Sequence, residues 1–274
     1  VDMLPLLART GFDAVVLRSL PVRHADELIA LTHDTRHNTT VTDPLWEEIR
    51  ARRPPLAGLT AFGSRQFNLS NGGETRMADG ALVSGGYFST LGVRAVAGRL
   101  LDVGDDHRGC APVAVLSAGF AAREFGSPAA AVGKGLSLDG HPFLVVGVSD
   151  PAFFGTEVGR SVSVFAPLCA VEIFDGPGVL DQRARWYLSI IGRLQPGVPL
   201  PQVRAWLAAN APAIFEATLP ADWPATSQAS YLKSTLGADP GAGGLSDLRS
   251  EYGRALYVLL VVVGVVLLIA CANI

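Results

Sequence analysis

Glycine and lysine occur together at Gly133, Lys134 and Gly135, a combination that can cradle the phosphate groups of a nucleotide. A phosphate-binding loop of this kind has the pattern G-x-x-x-x-G-K-[ST] and leads into a helix. Here Gly135 follows the lysine directly, and the segment leads into a predicted hairpin. We interpret these glycines as turn residues and predict that the chain has no ATPase site and binds no nucleotide cofactor.

A serine nucleophile is the second candidate, because Ser117 stands between a predicted strand and a predicted helix. The hydrolase elbow that exposes a serine in this context reads G-x-S-x-G, and Val115 occupies the position of its first glycine. Ser117 fits better as a helix N-cap, whose hydroxyl accepts a hydrogen bond from the first turn. The sequence therefore predicts no catalytic residue and no enzyme.

His33 and His37 would lie on one face of a helix and could then bind a metal ion, with Asp34 between them. The residues that follow, Asn38-Thr39-Thr40, have no apolar periodicity and indicate a loop. We predict a solvated loop here and no metal site.

The carboxylates of Asp102, Asp105 and Asp106 could bind calcium, but their spacing does not match an EF-hand loop. We predict a solvated turn.

The chain has three cysteines, which is too few to define a disulfide framework. Cys271 lies in an apolar run, so Cys110 and Cys169 are left as a possible pair. A disulfide between them is allowed if the domain lies outside the cytoplasm, and the sequence leaves the pairing open.

Helix start and stop signals position these residues. Asp43 as N-cap and Pro44 at the first helical position predict a helix that extends to Arg53. Pro212 is expected to shorten or kink another helix. Apolar periodicity and glycine stops predict further helical segments at Tyr87–Leu91, Ala118–Phe125 and Leu200–Phe215.

Strands are predicted from apolar runs and from alternation of apolar and polar residues. Asn71-Gly72 and Asp139-Gly140 supply hairpin turns. The segment Ala217 to Leu245 is rich in Pro, Gly, Ala and Ser and is predicted to be a loop. The predicted strands lie in Leu28–Leu31, Leu59–Leu69, Thr75–Val83, Val113–Leu116, Gly135–Leu138, Phe143–Val148, Val162–Phe165 and Trp186–Leu194.

The run from Ala255 to Ile274 carries no charged residue and as a helix would measure about 30 Å, the thickness of the hydrocarbon core of a bilayer. It predicts a truncated membrane-spanning helix, and we expect the sequence to be a piece of a longer membrane protein. The alternative is a buried C-terminal helix of a soluble core. The net charge of −3 and the scattered basic residues argue against nucleic-acid binding.

Several short strings follow one another in a characteristic order. They are A-V-V-L-R-S-L-P-V at 14–22, G-V-R and G-R-L-L within 92–101, V-A-V-L-S at 113–117, L-D-G at 138–140, V-V-G-V at 145–148 and G-R-L-Q-P-G-V at 192–198. Together they resemble the periplasmic core domain of MacB/FtsX-like ABC transporter permeases. The final string, I-A-C-A-N-I at 269–274, is similar to the second membrane helix of the large permease group common in acidobacteria. Residues 1–13 do not resemble the expected first membrane helix.

The resemblance implies an α+β fold with a two-lobed extracytoplasmic domain, a porter-like βαβ lobe and an inserted mixed-β lobe, followed by a transmembrane helix. We expect the Asp139-Gly140 hairpin in the inserted lobe and the helices Asp43–Arg53 and Leu200–Phe215 together in the other. The implied segments are 1–21 near the membrane, a core domain at 22–250 (one lobe at 22–98 and 185–235, the inserted lobe at 99–184), and the membrane helix at 251–274.

The resemblance also implies function. It indicates a permease subunit of a bacterial inner membrane, with residues 22–250 outside the cytoplasm. A separate cytoplasmic ATPase would drive export or extraction of a substrate, and a second permease copy and a periplasmic protein are the further partners implied. Two alternatives stay open: a membrane-anchored sensor or scaffold without transport, and a membrane-tethered hydrolase, for which no nucleophile–base or metal set is present in the sequence.

Overall fold

A computed structural model describes residues 19–34, 38–70, 74–157 and 159–245. The predicted membrane helix at 251–274, residues 1–18, His37 and the Asn71-Gly72 turn lie outside these ranges. Within the described ranges no helix has the length and apolar character needed to cross a bilayer.

The described chain is an α+β domain built on one mixed sheet, with the strand order β11-β1-β10-β3-β4-β9-β6-β8-β5. Strand β2 pairs with β10 and β7 pairs with β8 beside this path. The strands are β1 (Leu28–His33), β2 (Thr40–Val41), β3 (Leu56–Asn68), β4 (Met77–Val83), β5 (Ala95–Gly98), β6 (Val113–Leu116), β7 (Gly135–Leu138), β8 (His141–Ser149), β9 (Val164–Pro167), β10 (Leu188–Leu194) and β11 (Leu236–Pro240).

The helices connect these strands and cover the sheet. They are α1 (Asp43–Ala51), α2 (Tyr87–Leu91), α3 (Ala118–Phe125), α4 (Pro128–Ala131), α5 (Val171–Asp175), α6 (Leu200–Ala217) and α7 (Ala225–Tyr231). Short 3-10 turns occur at Ala25–Glu27, Val103–Asp105, Leu168–Ala170 and Val179–Asp181.

Successive residues of the central strands belong to two separate apolar clusters, one on each face of the sheet. Ile29 and Ile190 lie in the larger cluster, which also contains apolar residues of α1, α3 and α6. Leu28 and Ile191 lie in the smaller cluster, which contains the apolar residues of α2. A strand that is buried on both faces has no polar side, so runs such as Val113–Leu116 contain only apolar residues.

Several local predictions are confirmed. Helix α3 spans Ala118–Phe125 and ends at Gly126, whose φ of 82° is a left-handed conformation that suits glycine. The hairpin of β7 and β8 turns at Asp139-Gly140, and α2 is followed by Gly92, also with positive φ. The capping and turn residues that define these segments lie within a few positions of the segments themselves.

The predicted N-cap of the first helix is wrong by one residue. The side chain of Thr42 accepts a hydrogen bond from the backbone N–H of Leu45, and Asp43 is the first residue of α1. Pro44 lies near the start of the helix as expected. Asp43 is instead buried, and its carboxylate accepts a hydrogen bond from the hydroxyl of Tyr187.

Helix α6 continues through Pro212 to Ala217, so the expected shortening does not occur. Pro212 is exposed, whereas Leu207, Ala211 and Ile214 are buried against the sheet. Burial of this apolar face outweighs the loss of one backbone hydrogen bond.

The segment 217–245 is not the predicted loop, because it contains α7 and the strand β11. Strand β11 pairs with β1 in antiparallel fashion, from Ile29 opposite Pro240 to His33 opposite Leu236. Its local composition resembles a linker, but the free edge of β1 provides a partner for its backbone.

The strands of 99–184 lie together at one end of the sheet, and the β7–β8 hairpin is among them. Helices α1 and α6 contact each other, and α1 also contacts β10 near the other end. The two ends are joined by parallel pairing of β4 with β9, so the sheet is continuous. Strand β5 precedes residue 99 but pairs with β8. The division into two lobes stays a prediction.

Candidate functional site

The two ends of the described domain meet at one place. The backbone N–H of Leu20 donates a hydrogen bond to the carbonyl of Ala242 over 2.8 Å, and the N–H of Gly241 donates to Leu28 over 2.8 Å. Leu245 is held by a hydrogen bond of 2.9 Å from its N–H to the carbonyl of Thr156. We call residues 20–28 and 241–245, with Arg193 between α2 and the incoming chain, the end junction.

Arg193 on β10 holds the incoming chain in the end junction. Its side chain is 14% exposed, and its guanidinium forms an ion pair of 2.9 Å with Glu27. The remaining donors bind backbone carbonyls of the incoming segment and of the C-terminal end of α2: those of Arg23 (2.8 Å), His24 (2.9 Å), Thr90 (2.7 Å) and Leu91 (3.3 Å). A single side chain therefore joins the incoming segment, the sheet and α2.

Replacement of Arg193 by methionine is expected to lower the free energy of unfolding by about 3 kcal/mol, because several carbonyls that it serves lose a charged donor. The same change should increase hydrogen exchange at residues 23–28 more than in β6. Urea unfolding and exchange mass spectrometry measure both effects. Arg94→Met is the matched control, since Arg94 is exposed. Equal stability of the two variants would contradict the anchoring role.

A second polar arrangement lies at the start of α1, where the buried carboxylate of Asp43 binds the hydroxyl of Tyr187. Burial raises the pKa of Asp43 to about 7, against the opposing effect of the tyrosine hydrogen bond. Burial also raises the pKa of Tyr187, and the guanidinium of Arg185 lies 4.7 Å above its ring. Asp43 therefore exchanges a proton near neutral pH.

This pKa predicts how stability depends on pH. The folded chain holds the Asp43 proton more tightly than the unfolded chain, so the stabilisation is present below about pH 4 and is lost as the pH rises through about 7. Between about pH 4 and about pH 7, the unfolding free energy of Asp43→Asn should decrease less than that of the wild-type chain. The difference between the two decreases is at most about 4 kcal/mol. Urea unfolding at several pH values tests this. Asp222→Asn, an exposed control, should keep the wild-type slope.

Ser117 and Lys134 occupy the structural positions that the sequence suggested. The hydroxyl of Ser117 accepts a hydrogen bond from the N–H of Phe120 and caps α3, as predicted. Gly133 has a φ of 81° in the turn before β7, and the N–H of Lys134 donates to the carbonyl of Ala131.

His33 does not lie in the predicted solvated loop. It is the last residue of β1 and is 8% exposed, with its ring 4.9 Å from that of Trp186. Burial lowers the pKa of His33. Asp34 follows in a turn.

The carboxylates of the predicted acidic turn are not simply solvated. Asp102 caps the 3-10 turn Val103–Asp105, and Asp105 forms an ion pair with Arg99. Asp106 accepts hydrogen bonds from the backbone N–H groups of Gly85 and Cys169. In the described part of the chain no group of three or more His, Cys, Asp or Glu side chains is arranged to hold a metal ion.

Cys110 and Cys169 form a disulfide, which resolves the pairing that the sequence left open. The bond closes a loop with a sequence separation of 59 and ties the segment after Asp106 to the 3-10 turn Leu168–Ala170.

Comparison with known proteins decides the family. The family model described as "MacB-like periplasmic core domain" matches residues 8–210. The chain belongs to this family. No curated protein matches the chain.

Two solved structures share the fold of this MacB-like domain. A domain of a putative permease protein from Porphyromonas gingivalis has 15% identity and a TM-score of 0.58, with 84% of this chain and 97% of that chain covered. The periplasmic region of MacB from Actinobacillus actinomycetemcomitans has 16% identity and a TM-score of 0.52, with 78% and 89% covered.

Sequence reasoning assigned no role to Arg193 or Tyr187 in this MacB-like domain, and it assigned Asp43 only the role of a helix N-cap. In the sequence, Arg193 was noted only as part of the G-R-L-Q-P-G-V string. The one signal that could have indicated its role is that it is an arginine on an otherwise apolar strand. Tyr187 and Asp43 are 144 positions apart, so no local spacing connects them.

Proposed function

We propose that residues 19–245 form the extracytoplasmic domain of an ABC permease subunit and are inserted between two membrane segments of the same polypeptide. The observation that carries this proposal is the end junction, where the chain enters and leaves the domain side by side, joined by the Leu20–Ala242 hydrogen bond. Adjacent chain ends allow a domain to be inserted into a loop between two membrane helices. Nine residues separate Leu245 from the uncharged run that begins at Ala255.

A separate cytoplasmic ATPase supplies the energy in this proposal. The only lysine–glycine loop of the sequence lies at Gly133–Gly135 and lacks the residues of a phosphate-binding loop. Nucleotide-driven movement of the membrane segments would reach the domain at the end junction. Arg193 would transmit this movement to β10, the strand that lies between β1 and β3 in the sheet. A second permease copy completes the transporter and exports or extracts the substrate.

The Cys110–Cys169 bond supports the extracytoplasmic location, because disulfides persist in oxidising compartments and are rare in the cytosol. Its sulfur atoms belong to buried residues, so it is a structural link rather than an exposed reactive pair.

Location is tested with single cysteines at Met77, which is 54% exposed, and at Asp222, which is also exposed. A membrane-impermeant maleimide should label both positions in intact spheroplasts that produce the full-length protein. A cytoplasmic thiol protein, labelled only after lysis, is the control. Labelling of Met77→Cys and Asp222→Cys only after lysis would place the domain in the cytoplasm and contradict the proposal.

The transport role is tested by purifying the tagged full-length protein from membranes of its own host. An ABC ATPase should be recovered in stoichiometric amount, and its ATP turnover in nanodiscs should depend on the permease. Arg193→Met should change the turnover while the ATPase stays bound. Recovery of the permease without any ATPase, from membranes that retain other ABC complexes, would favour a sensor or scaffold.

A further inference from the structure

A cavity of about 260 Å³ lies between α1, the loop 102–110 and the chain after Leu168. Its apolar wall includes Trp46, Leu168 and Leu180, all of which are buried. Sites for drug-sized ligands have volumes of about 300–1,000 Å³. This cavity is smaller, so an occupant has the size of one amino-acid side chain. The cavity is separate from the end junction, and nothing in the proposed permease function depends on it.

Two carboxylates, those of Asp43 and Asp106, line this cavity. Asp43 is 3% exposed and uses one oxygen to bind Tyr187. Asp106 is half-buried and binds the N–H groups of Gly85 (3.0 Å) and Cys169 (2.9 Å) with its two oxygens. Among the described residues no arginine or lysine forms an ion pair with either carboxylate. Neither carboxylate is therefore closed off by a direct ion pair, although Arg50, which also lines the cavity, acts on Asp106 from beyond ion-pair distance.

Two arginines line the rim of the cavity. Arg108 forms an ion pair with Asp181 at 2.7 Å and approaches Glu47 at 3.9 Å. The guanidinium of Arg50 lies over the ring of Trp46, 5.4 Å from its centre. An anion in the cavity would add a further negative charge beside Asp43 and Asp106, which is unfavourable in a partly desolvated site. A cation could bind both carboxylates directly, which neither of these arginines does.

We propose that this cavity binds the primary ammonium group of a small aliphatic amine, with Asp43 and Asp106 as acceptors and the wall of Trp46, Leu168 and Leu180 around the alkyl chain. An ammonium group has three donors and no acceptor, which matches two carboxylates. The same chemistry is present in a free alkylamine and in a lysine side chain of a peptide. The rigid disulfide at Cys169 holds one wall of the site in place.

Binding should release a proton, because a cation favours the ionised form of Asp43. The charged and titratable groups that act on Asp43 are Tyr187, Glu47, Asp106 and Arg185. The pKa of about 7 means that much of Asp43 is protonated at neutral pH and must ionise when the ammonium group binds. Affinity should therefore be higher at about pH 8 than at about pH 6.

The test is calorimetric titration of the full chain, in mild detergent, with pentylamine and with the Nα-acetyl amide of lysine. We expect saturable binding that is at least about 10-fold weaker in Asp43→Asn and unchanged in Asp222→Asn. Tighter binding of pentylamine indicates a free amine as the ligand, and tighter binding of the lysine derivative indicates a peptide. Titrations in buffers of different ionisation enthalpy measure the released proton.

Pentanol has the same alkyl chain without the charge and is the ligand control. Equal binding of pentanol, undiminished binding of amine by Asp43→Asn, or no saturable binding by the wild-type chain would each overturn the proposal. Leu180→Phe reduces the cavity volume without changing charge and should also weaken amine binding. It keeps the test decisive if Asp43→Asn fails to fold. Loss of amine binding leaves the permease proposal intact, because the labelling and ATPase experiments do not involve this cavity.

Discussion

Replacing Gly147 by alanine is expected to cost about 4 kcal/mol or more of folding free energy, or to detach β5 from the sheet. A Cβ atom at Gly147 would lie 1.8 Å from the carbonyl oxygen of Arg99 and 2.8 Å from its backbone nitrogen. These are backbone atoms of the chain leaving β5, and Arg99 donates a hydrogen bond to Val146. No side-chain rotation can relieve the contact.

Gly135→Ala is the matched control for this prediction, because a Cβ atom there has no neighbour within 4 Å and the residue lies on β7, the partner of the same strand. Denaturant unfolding of both variants, with hydrogen exchange at 95–98, separates local detachment from global loss of stability. If Gly147→Ala is as stable as Gly135→Ala, the close approach of the two backbones is not present in solution.

Loss of the Cys110–Cys169 disulfide is expected to lower the free energy of unfolding by about 4 kcal/mol, the value for a loop of this length when cross-linking restricts the unfolded chain. The double variant Cys110→Ala with Cys169→Ala removes the bond without leaving a thiol. Its urea midpoint should decrease, and hydrogen exchange at 103–110 should increase because that loop loses its link to the Leu168–Ala170 turn.

Treatment with reductant is the control for the disulfide prediction. Reductant should destabilise the wild-type chain to about the level of the double variant and should leave the variant unchanged. A wild-type chain with the same midpoint in both conditions, and equal to the variant, would mean that the bond does not contribute to stability.

Local sequence chemistry predicts the elements whose signals lie within one turn or one hairpin. Ser117 and Gly126 bound α3 as predicted, because a hydroxyl cap and a left-handed glycine each act on neighbouring backbone groups. Asp139-Gly140 gives the predicted hairpin for the same reason. The strand at Val113–Leu116 was predictable because burial on both faces leaves a continuous apolar run.

The remaining features depend on residues far apart in the chain. Strand β11 exists because β1 offers an edge, so its Gly- and Pro-containing sequence alone resembles a loop. Pro212 is accommodated because α6 is held by the sheet. Arg193 reaches residues 102 to 170 positions away. Their roles come from tertiary packing, which periodicity and capping signals do not contain.

The antiparallel pairing of β1 with β11 determines how the domain responds when its two ends are pulled apart. The chain enters β1 next to Pro240 and leaves β11 next to Ile29, so both ends pull at the same end of the strand pair. In this geometry the load falls first on the hydrogen bonds of the end junction. It then falls on one pair of strand residues at a time, beginning at Ile29 and Pro240, and the strands separate as a zipper opens. Arg193 secures the entering chain ahead of β1. The exit side therefore separates first, and the tension that the domain withstands before β11 detaches is set by a few hydrogen bonds rather than by the whole sheet.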